Sequence, residues 1–234
     1  MLWKVPKMWE GGECWIIGGG PSVPREFGVP EEVIARVLSG ELPVSTYSPY
    51  LSAIHDKHVI GVNAAFLIGN WIDMVFFGDG SFYFDNKKAL CAYPKIKVTC
   101  NPNLPKKKGV YNVKYLQKQG NHPNGITEQP GTVAWNLNSG AASISLAAQL
   151  GVKKIYLLGF DMQVGEKGNQ HFHSHYKSGK IDAAKNPRKL PFNRHLQCFP
   201  IIARDAKRLG IEIINVNPDS KITAFKRVKL SDVL

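Results

Sequence analysis

Short apolar runs, each closed by glycine, asparagine or aspartate, recur along the chain and alternate with stretches of helical spacing. The runs are Cys14–Gly18 (CWIIG), His58–Val62 (HVIGV), Met74–Phe77 (MVFF), Lys154–Gly159 (KIYLLG) and Ile211–Val216 (IEIINV). All five predict strands, and KIYLLG is too apolar for one face to meet water, so it predicts a central strand covered on both sides. Lys95–Cys100 (KIKVTC) alternates and predicts a further strand, and Val110–Leu116 adds another.

Helical spacing is clearest in the stretch from Asn138 to Met162. Small residues open it, Ile144, Ala147, Ala148 and Leu150 repeat at helical intervals, and Gly151 stops it before the KIYLLG strand. Pro30–Leu38 predicts a second helix, with proline and acids at its start. A third runs from Asn193 to Leu209, where Pro200 predicts either a kink or a later true start. The tail to Leu234 is expected to pack as a short helix, and Gln119–Thr132 reads as loop. Gln163–Lys189 is long, polar and basic, and such stretches inside compact domains are often active-site covers. The resulting expectation is an α/β, Rossmann-like fold with a mostly parallel sheet, helices on both faces and a long lid loop. It forms a single nucleotide-binding domain over 1–234 with a lid at 163–192.

The ends of the strands carry the candidate chemistry. The first runs into Gly18, Gly19, Gly20, Pro21 and Ser22, where glycine permits a tight turn and close approach to a phosphate. This is not a complete GxGxxG, and it lacks the lysine and hydroxyl of a P-loop. The second strand ends in Asn63, which could read a base or sugar or cap the next turn. The third ends in Gly78-Asp79-Gly80, and the KIYLLG strand in Asp161. In open α/β sheets ligands sit beyond the carboxyl ends of strands, so these ends and the helix start at Ser139-Gly140 are expected to share one site. That helix start suits a phosphate. Trp135, just before it, is expected to pack at the entrance or stack on a ring.

Charge adds a partner class. Thirty basic against eighteen acidic residues give a net charge of +12, which favours polyanions such as nucleic acid, nucleotides or acidic glycans. The run Lys106-Lys107-Lys108 reads as a solvated loop, with a nucleic-acid contact as the sharper alternative. Four cysteines without CxxC spacing predict reduced thiols. No apolar stretch is long enough to span a membrane and no signal-peptide core is visible, so a cytoplasmic location is expected. In an extended lid His171, His173 and His175 would share a face, which invites a metal. No carboxylate or cysteine accompanies them at ligand spacing, so an acid, base or phosphate contact is preferred and no metal site is expected.

The order WIIGGGPSV, VIGVNAAF, NSGAASISLAAQLGVKKIYLLGFDM, a His-Tyr loop, a long helix and INVNPDS resembles the bacterial CMP-sialic-acid-dependent sialyltransferases, glycosyltransferase family 42. It also resembles the related 6-hydroxymethylpterin pyrophosphokinase-like group of microbes and their phages. The resemblance covers roughly Cys14 to Ser220. It implies a metal-independent transferase in which Gly18 to Ser22, Asn63 and Ser139-Gly140 hold the nucleotide. It further implies a general-base histidine, to which His195 corresponds by its distance from Asn217-Pro218, and lid tyrosines on the leaving phosphate. His175 and Tyr176 match the family's Ser-His-Tyr. Gly19 stands where the family has asparagine and Asn138 where it has threonine, and the family's membrane-associated extension is missing.

The expected function is therefore transfer of a sugar from a CMP- or UDP-sugar to an acceptor hydroxyl, on an acidic glycan or a modified nucleic acid. His195 or His175 serves as base, and Asn63, Asp79 and Asp161 read base or ribose. The alternatives are a magnesium-ATP pyrophosphokinase of the pterin type, with Asp79 contacting the metal, and a basic phage DNA-modifying or DNA-binding protein.

Overall fold

The computed structural model describes residues 2–175 and 190–234. Among these residues ten strands are formed: β1 Glu13–Ile17, β2 Val59–Val62, β3 Met74–Phe77, β4 Ile96–Thr99, β5 Val113–Tyr115, β6 Gln117–Gln119, β7 Thr132–Ala134, β8 Lys154–Leu158, β9 Glu212–Asn215 and β10 Lys226–Arg227. The α-helices are α1 Ser22–Glu26, α2 Glu31–Ser39, α3 Gly80–Asp85, α4 Lys87–Ala92, α5 Ser139–Gln149, α6 Phe192–Leu196 and α7 Phe199–Leu209.

Eight strands build one sheet in the order β10-β9-β8-β1-β2-β3-β4-β5, and every neighbouring pair is parallel. From β1 the chain steps outward through β2, β3, β4 and β5, then returns to lay β8 on the other side of β1 and continues to β9 and β10. The direction of winding thus reverses between β1 and β8, and a crevice opens there beyond the strand ends.

The side-chain alternation of these two strands explains why they are central. Cys14 and Ile16 of β1, with Ile155 and Leu157 of β8, pack among Ala142, Ile144 and Leu146 of α5 and Phe199, Ile202 and Ala206 of α7. Trp15 and Ile17, with Tyr156 and Leu158, pack on the opposite face with Ile34 and Val37 of α2 and with Tyr47, Leu51 and Ile54. A strand with successive residues sunk in different cores cannot be half exposed, which is why these runs read as continuously apolar. The α/β class with a parallel sheet covered on both faces is thereby established.

Three expectations need revision. The loop over Gln119–Thr132 is bracketed by strands, because β6 and β7 pair in parallel as a separate two-stranded sheet with Gln117 opposite Thr132. Three-residue strands carry too little periodicity to be seen in sequence. The helix over Asn193–Leu209 is two helices, and Pro200 marks the later true start that was one of its two expected roles: it sits in the first turn of α7, where its missing N–H costs nothing. The tail contributes the edge strand β10 before a short 3-10 turn at Leu230–Asp232. Of the expected lid at 163–192, only the two ends fall within the described residues, and Tyr176 lies outside them.

Candidate functional site

Gly18, Gly19 and Gly20 leave β1 directly against the end of β8. A Cβ on Gly18 would stand 2.7 Å from the Gly159 carbonyl oxygen, and one on Gly20 would stand 2.5 Å from Asp161 Oδ2 and 2.6 Å from that same oxygen. The Gly20 amide donates to the Gly159 carbonyl at 2.9 Å. Gly18 and Gly20 are therefore demanded by the approach of one strand end to the other. That approach pins the loop at the crevice.

Asp161 fastens the same junction. Its Oδ2 accepts from the Ser22 amide at 2.9 Å, and its Oδ1 accepts from the Ser22 hydroxyl at 2.5 Å and from Asn217 Nδ2 at 2.8 Å. Both carboxylate oxygens are thus engaged by the chain itself, and the residue is 3% exposed. Burial pushes its carboxyl above the usual range, while the bonds from Ser22 and Asn217 and the nearby Arg25 charge oppose that rise. The geometry makes Asp161 the clasp between α1, β8 and the turn after β9.

The opposite wall is less satisfied. Asn63 follows β2 with a φ of 51°, and its carboxamide oxygen is buried with no hydrogen-bond partner. Asp79 precedes α3, makes no capping bond with its side chain and is exposed. Asn138 caps α5, its Oδ1 accepting from the Ala141 amide at 2.7 Å. The amides of Ser139 and Gly140 come before the first intrahelical bonds and have no acceptor within the helix. Gly78 is required by Trp135, whose ring would lie 2.3 Å from a Cβ there. That approach sets the indole beside Asp79.

These walls enclose a cavity of about 390 Å³ whose lining includes Gly18, Gly19, Gly20, Asn63, Asp79, Ser139, Gly140, Asp161 and His195. This volume suits a small molecule. Pro21 and Ser22 line instead a neighbouring hollow of about 540 Å³, on the other side of Asp161. His175 lines neither and is exposed.

His171 is the lid histidine that reaches the cavity. The Phe172 amide donates to the Gly19 carbonyl at 3.1 Å, which docks the described start of the lid onto the glycine loop. Trp135, Leu137, Met162, Gln170, Phe192 and Arg194 also line it. Among these, Trp135 was visible in the sequence as an entrance residue. Leu137 and Met162 give no sequence signal, because only the folded backbone shows them at φ values of 64° and 52°. Among the described residues five non-glycine residues take positive φ, and three of them, Asn63, Leu137 and Met162, face this cavity. Strained backbone of this kind concentrates at functional sites.

His195, His171 and His173 are shifted toward the neutral form. Burial, with the neighbouring Arg194 charge, brings His195 down to about 4. Burial also lowers His171, opposed by its hydrogen bond with the Gly19 backbone, and lowers His173 strongly, assisted by its histidine neighbours. No hydrogen bond engages the His195 ring nitrogens among the described residues. Cys198 ties its backbone to the opposite wall: the Sγ donates to the His195 carbonyl at 3.0 Å and accepts from Asn138 Nδ2 at 3.7 Å. Burial pushes that thiol up to about 12, so it stays protonated as a donor. Among the described residues no group of three or more histidine, cysteine, aspartate and glutamate side chains comes together to hold a metal ion. Of the two acids lining the cavity, Asp79 alone has an uncommitted carboxylate. No helix among the described residues is long and apolar enough to cross a membrane.

No family model matches the chain, and no curated protein matches it. Among solved structures it is similar to the sialyltransferase CstII from Campylobacter jejuni, determined in complex with a substrate analogue, CMP-3FNeuAc. The identity is 15%, the match covers 93% of this chain and 85% of that one, and the TM-score is 0.48. A likeness of that size carries no argument about activity, which has to come from this chain's own residues.

Proposed function

We propose that the protein is a glycosyltransferase that takes a sugar from a nucleotide-activated donor, a CMP- or UDP-sugar, and passes it to an acceptor hydroxyl. The observation that carries this reading is the pairing, in one cavity, of an unpartnered Asn63 carboxamide oxygen and the amide-bearing start of α5 with a neutral histidine, His195. The amide-bearing end suits the phosphate linkage, because its dipole and free N–H groups favour negative charge. Asn63 suits a base or ribose edge, since a carboxamide both donates and accepts. Asp79, uncommitted at the same rim, is a second candidate for the ribose hydroxyls.

In the proposed step the acceptor oxygen attacks the anomeric carbon, and its proton passes to a His195 ring nitrogen. The bond between that carbon and the donor phosphate oxygen breaks, and the nucleotide leaves with the electron pair. A histidine kept neutral at neutral pH can take the proton without first losing one. The charge growing on the departing phosphate is met by the α5 terminus. His175 and Tyr176 are assigned no part in this step. The lid over 163–192 and a single-domain organisation belong to the same reading: His171 and Gln170 come from the lid's described start and would close on the bound donor.

Calorimetric titration of CMP, UDP and their sugar conjugates, with a chelator present, tests the proposal. Saturable binding of a pyrimidine nucleotide or its conjugate without metal is expected. Binding restricted to ATP plus magnesium would replace it with the pyrophosphokinase alternative, in which Asp79 contacts the metal.

A further inference from the structure

The positive charge of this chain is concentrated in one place. Between Asn86 and Thr127 there are nine lysines and no acidic residue, which accounts for three quarters of the net +12. That segment forms α4, β4, β5 and the connection between them, at one edge of the sheet. Lys87, Lys88, Lys106, Lys107, Lys108 and Lys114 are exposed. Of the nine, Lys95 alone has an ion-pair partner among the described residues, Asp73. An edge strand needs a lysine or two to discourage pairing with another chain. It does not need nine residues of one sign.

Aromatic rings are interleaved with this charge. Lys107 Nζ lies 5.0 Å from the centre of the Phe84 ring, which is 40% exposed, and Tyr111 is 67% exposed. The loop carrying Lys107 and Tyr111 is held on α3 by Tyr83, whose hydroxyl donates to the Gly109 carbonyl and accepts from the Tyr111 amide, both at 3.4 Å. The face also reaches the cavity. Lys118 Nζ lies 4.6 Å from the centre of Trp135, a cavity-lining ring, and α3 starts beside Asp79 at the rim.

We infer that this lysine–aromatic face binds single-stranded nucleic acid and leads it toward the cavity. Exposed cations with open rings among them match a strand whose bases are unstacked and free to lie on aromatics. In a duplex the base faces are covered, so Phe84 and Tyr111 have nothing to stack against. An acidic polysaccharide would use the charge and leave the rings without planar partners. Binding along this face stands whatever chemistry the cavity performs; that the bound strand is the acceptor rests on the transferase proposal.

The test is fluorescence anisotropy with a labelled oligothymidine and no donor, repeated across salt concentrations. Wild-type protein is compared with the triple variant Lys106→Glu, Lys107→Glu, Lys108→Glu. The control is Lys207→Glu, Lys221→Glu, Lys226→Glu, an equal charge reversal away from this edge. All six side chains are exposed, so circular dichroism is expected to show both variants folded. Removing three phosphate contacts should make the slope of log affinity against log salt shallower by about 2 in the first variant only. Tyr111→Ala should weaken the oligonucleotide about tenfold through lost stacking. Equal losses in both triple variants, tighter binding of duplex than of single strand, or an oligothymidine that fails to bind while heparin does, would each overturn the inference.

Discussion

The two walls of the crevice between β1 and β8 are built from similar polar residues and treat them in opposite ways. On the Asp161 side the groups at the junction have found partners in the chain: Ser22, Asn217 and Asp161 close on one another, and Gly18 and Gly20 pack against Gly159. On the Asn63 side a buried carboxamide oxygen has no partner, and the start of α5 and His195 face open space. The first wall makes the crevice and the second makes it useful. The larger hollow beyond Asp161, at about 540 Å³, gives the same lesson, since Arg25 on its rim already pairs with Glu31 and Glu166. Unsatisfied chemistry, and not volume, marks the site.

That contrast can be broken most forcefully at His195. His195→Ala should lower the rate of transfer by about 10²- to 10⁴-fold while leaving nucleotide affinity and the unfolding midpoint in place. Steady-state kinetics beside calorimetry would show it, and an unimpaired variant would remove His195 from the role. Its protonation gives a companion expectation. The free protein's kcat/KM should decline only as pH falls toward about 4, whereas the acid limb of kcat should sit at higher pH, because a bound phosphate stabilises the imidazolium.

On the satisfied wall the effect should be one of stability. Asp161→Ala strips three donors of their acceptor in a buried clasp and should cost about 3 kcal/mol in urea unfolding. A smaller and cleaner change is available opposite. Asn63→Gly keeps the left-handed backbone that φ of 51° requires and removes only the carboxamide. Nucleotide affinity should fall about tenfold with stability unchanged or slightly raised, since the lost oxygen was unsatisfied. A variant that loses stability and keeps affinity would show that the two walls are alike after all.

The smallest effect concerns acid. The His195 and His173 pKa values are lowered in the folded state, so the unfolded chain binds more protons below its ordinary histidine range. Their contribution to stability is present above about pH 6.5 and declines as pH falls from there toward 4. Thermal melts across that window should show the decline, and His195→Gln should flatten part of it.

How much of this was legible in the sequence follows the same division. The strands at Cys14, Met74 and Lys154 announced themselves because burial on both faces leaves a largely apolar run, and those at His58 and Ile211 by their β-branched residues. Polar residues at their ends were legible as a group, because a parallel sheet delivers all carboxyl ends to one side. What each one does there was not legible. Asp161 and Asn63 look alike as short polar residues after strands, and only the return of the chain through Asn217 makes one a clasp and leaves the other open. His171 and His175 sit four residues apart in a segment without periodicity. Nothing local says that the bond from Phe172 to Gly19 turns the earlier one inward. The short pairing of β6 with β7 was hidden for want of length.

The position of β1 has a further consequence for how this molecule is made. Its partners are β2, which ends at Val62, and β8, which begins only at Lys154. On a ribosome β1 and β2 can pair early, but one edge of β1 stays bare until Lys154 and the residues after it have emerged. Non-local pairing of this kind is slow and leaves apolar surface uncovered meanwhile. A nascent chain stalled before Leu158 should therefore recruit chaperones through Cys14 to Ile17, and synthesis past that point should release them.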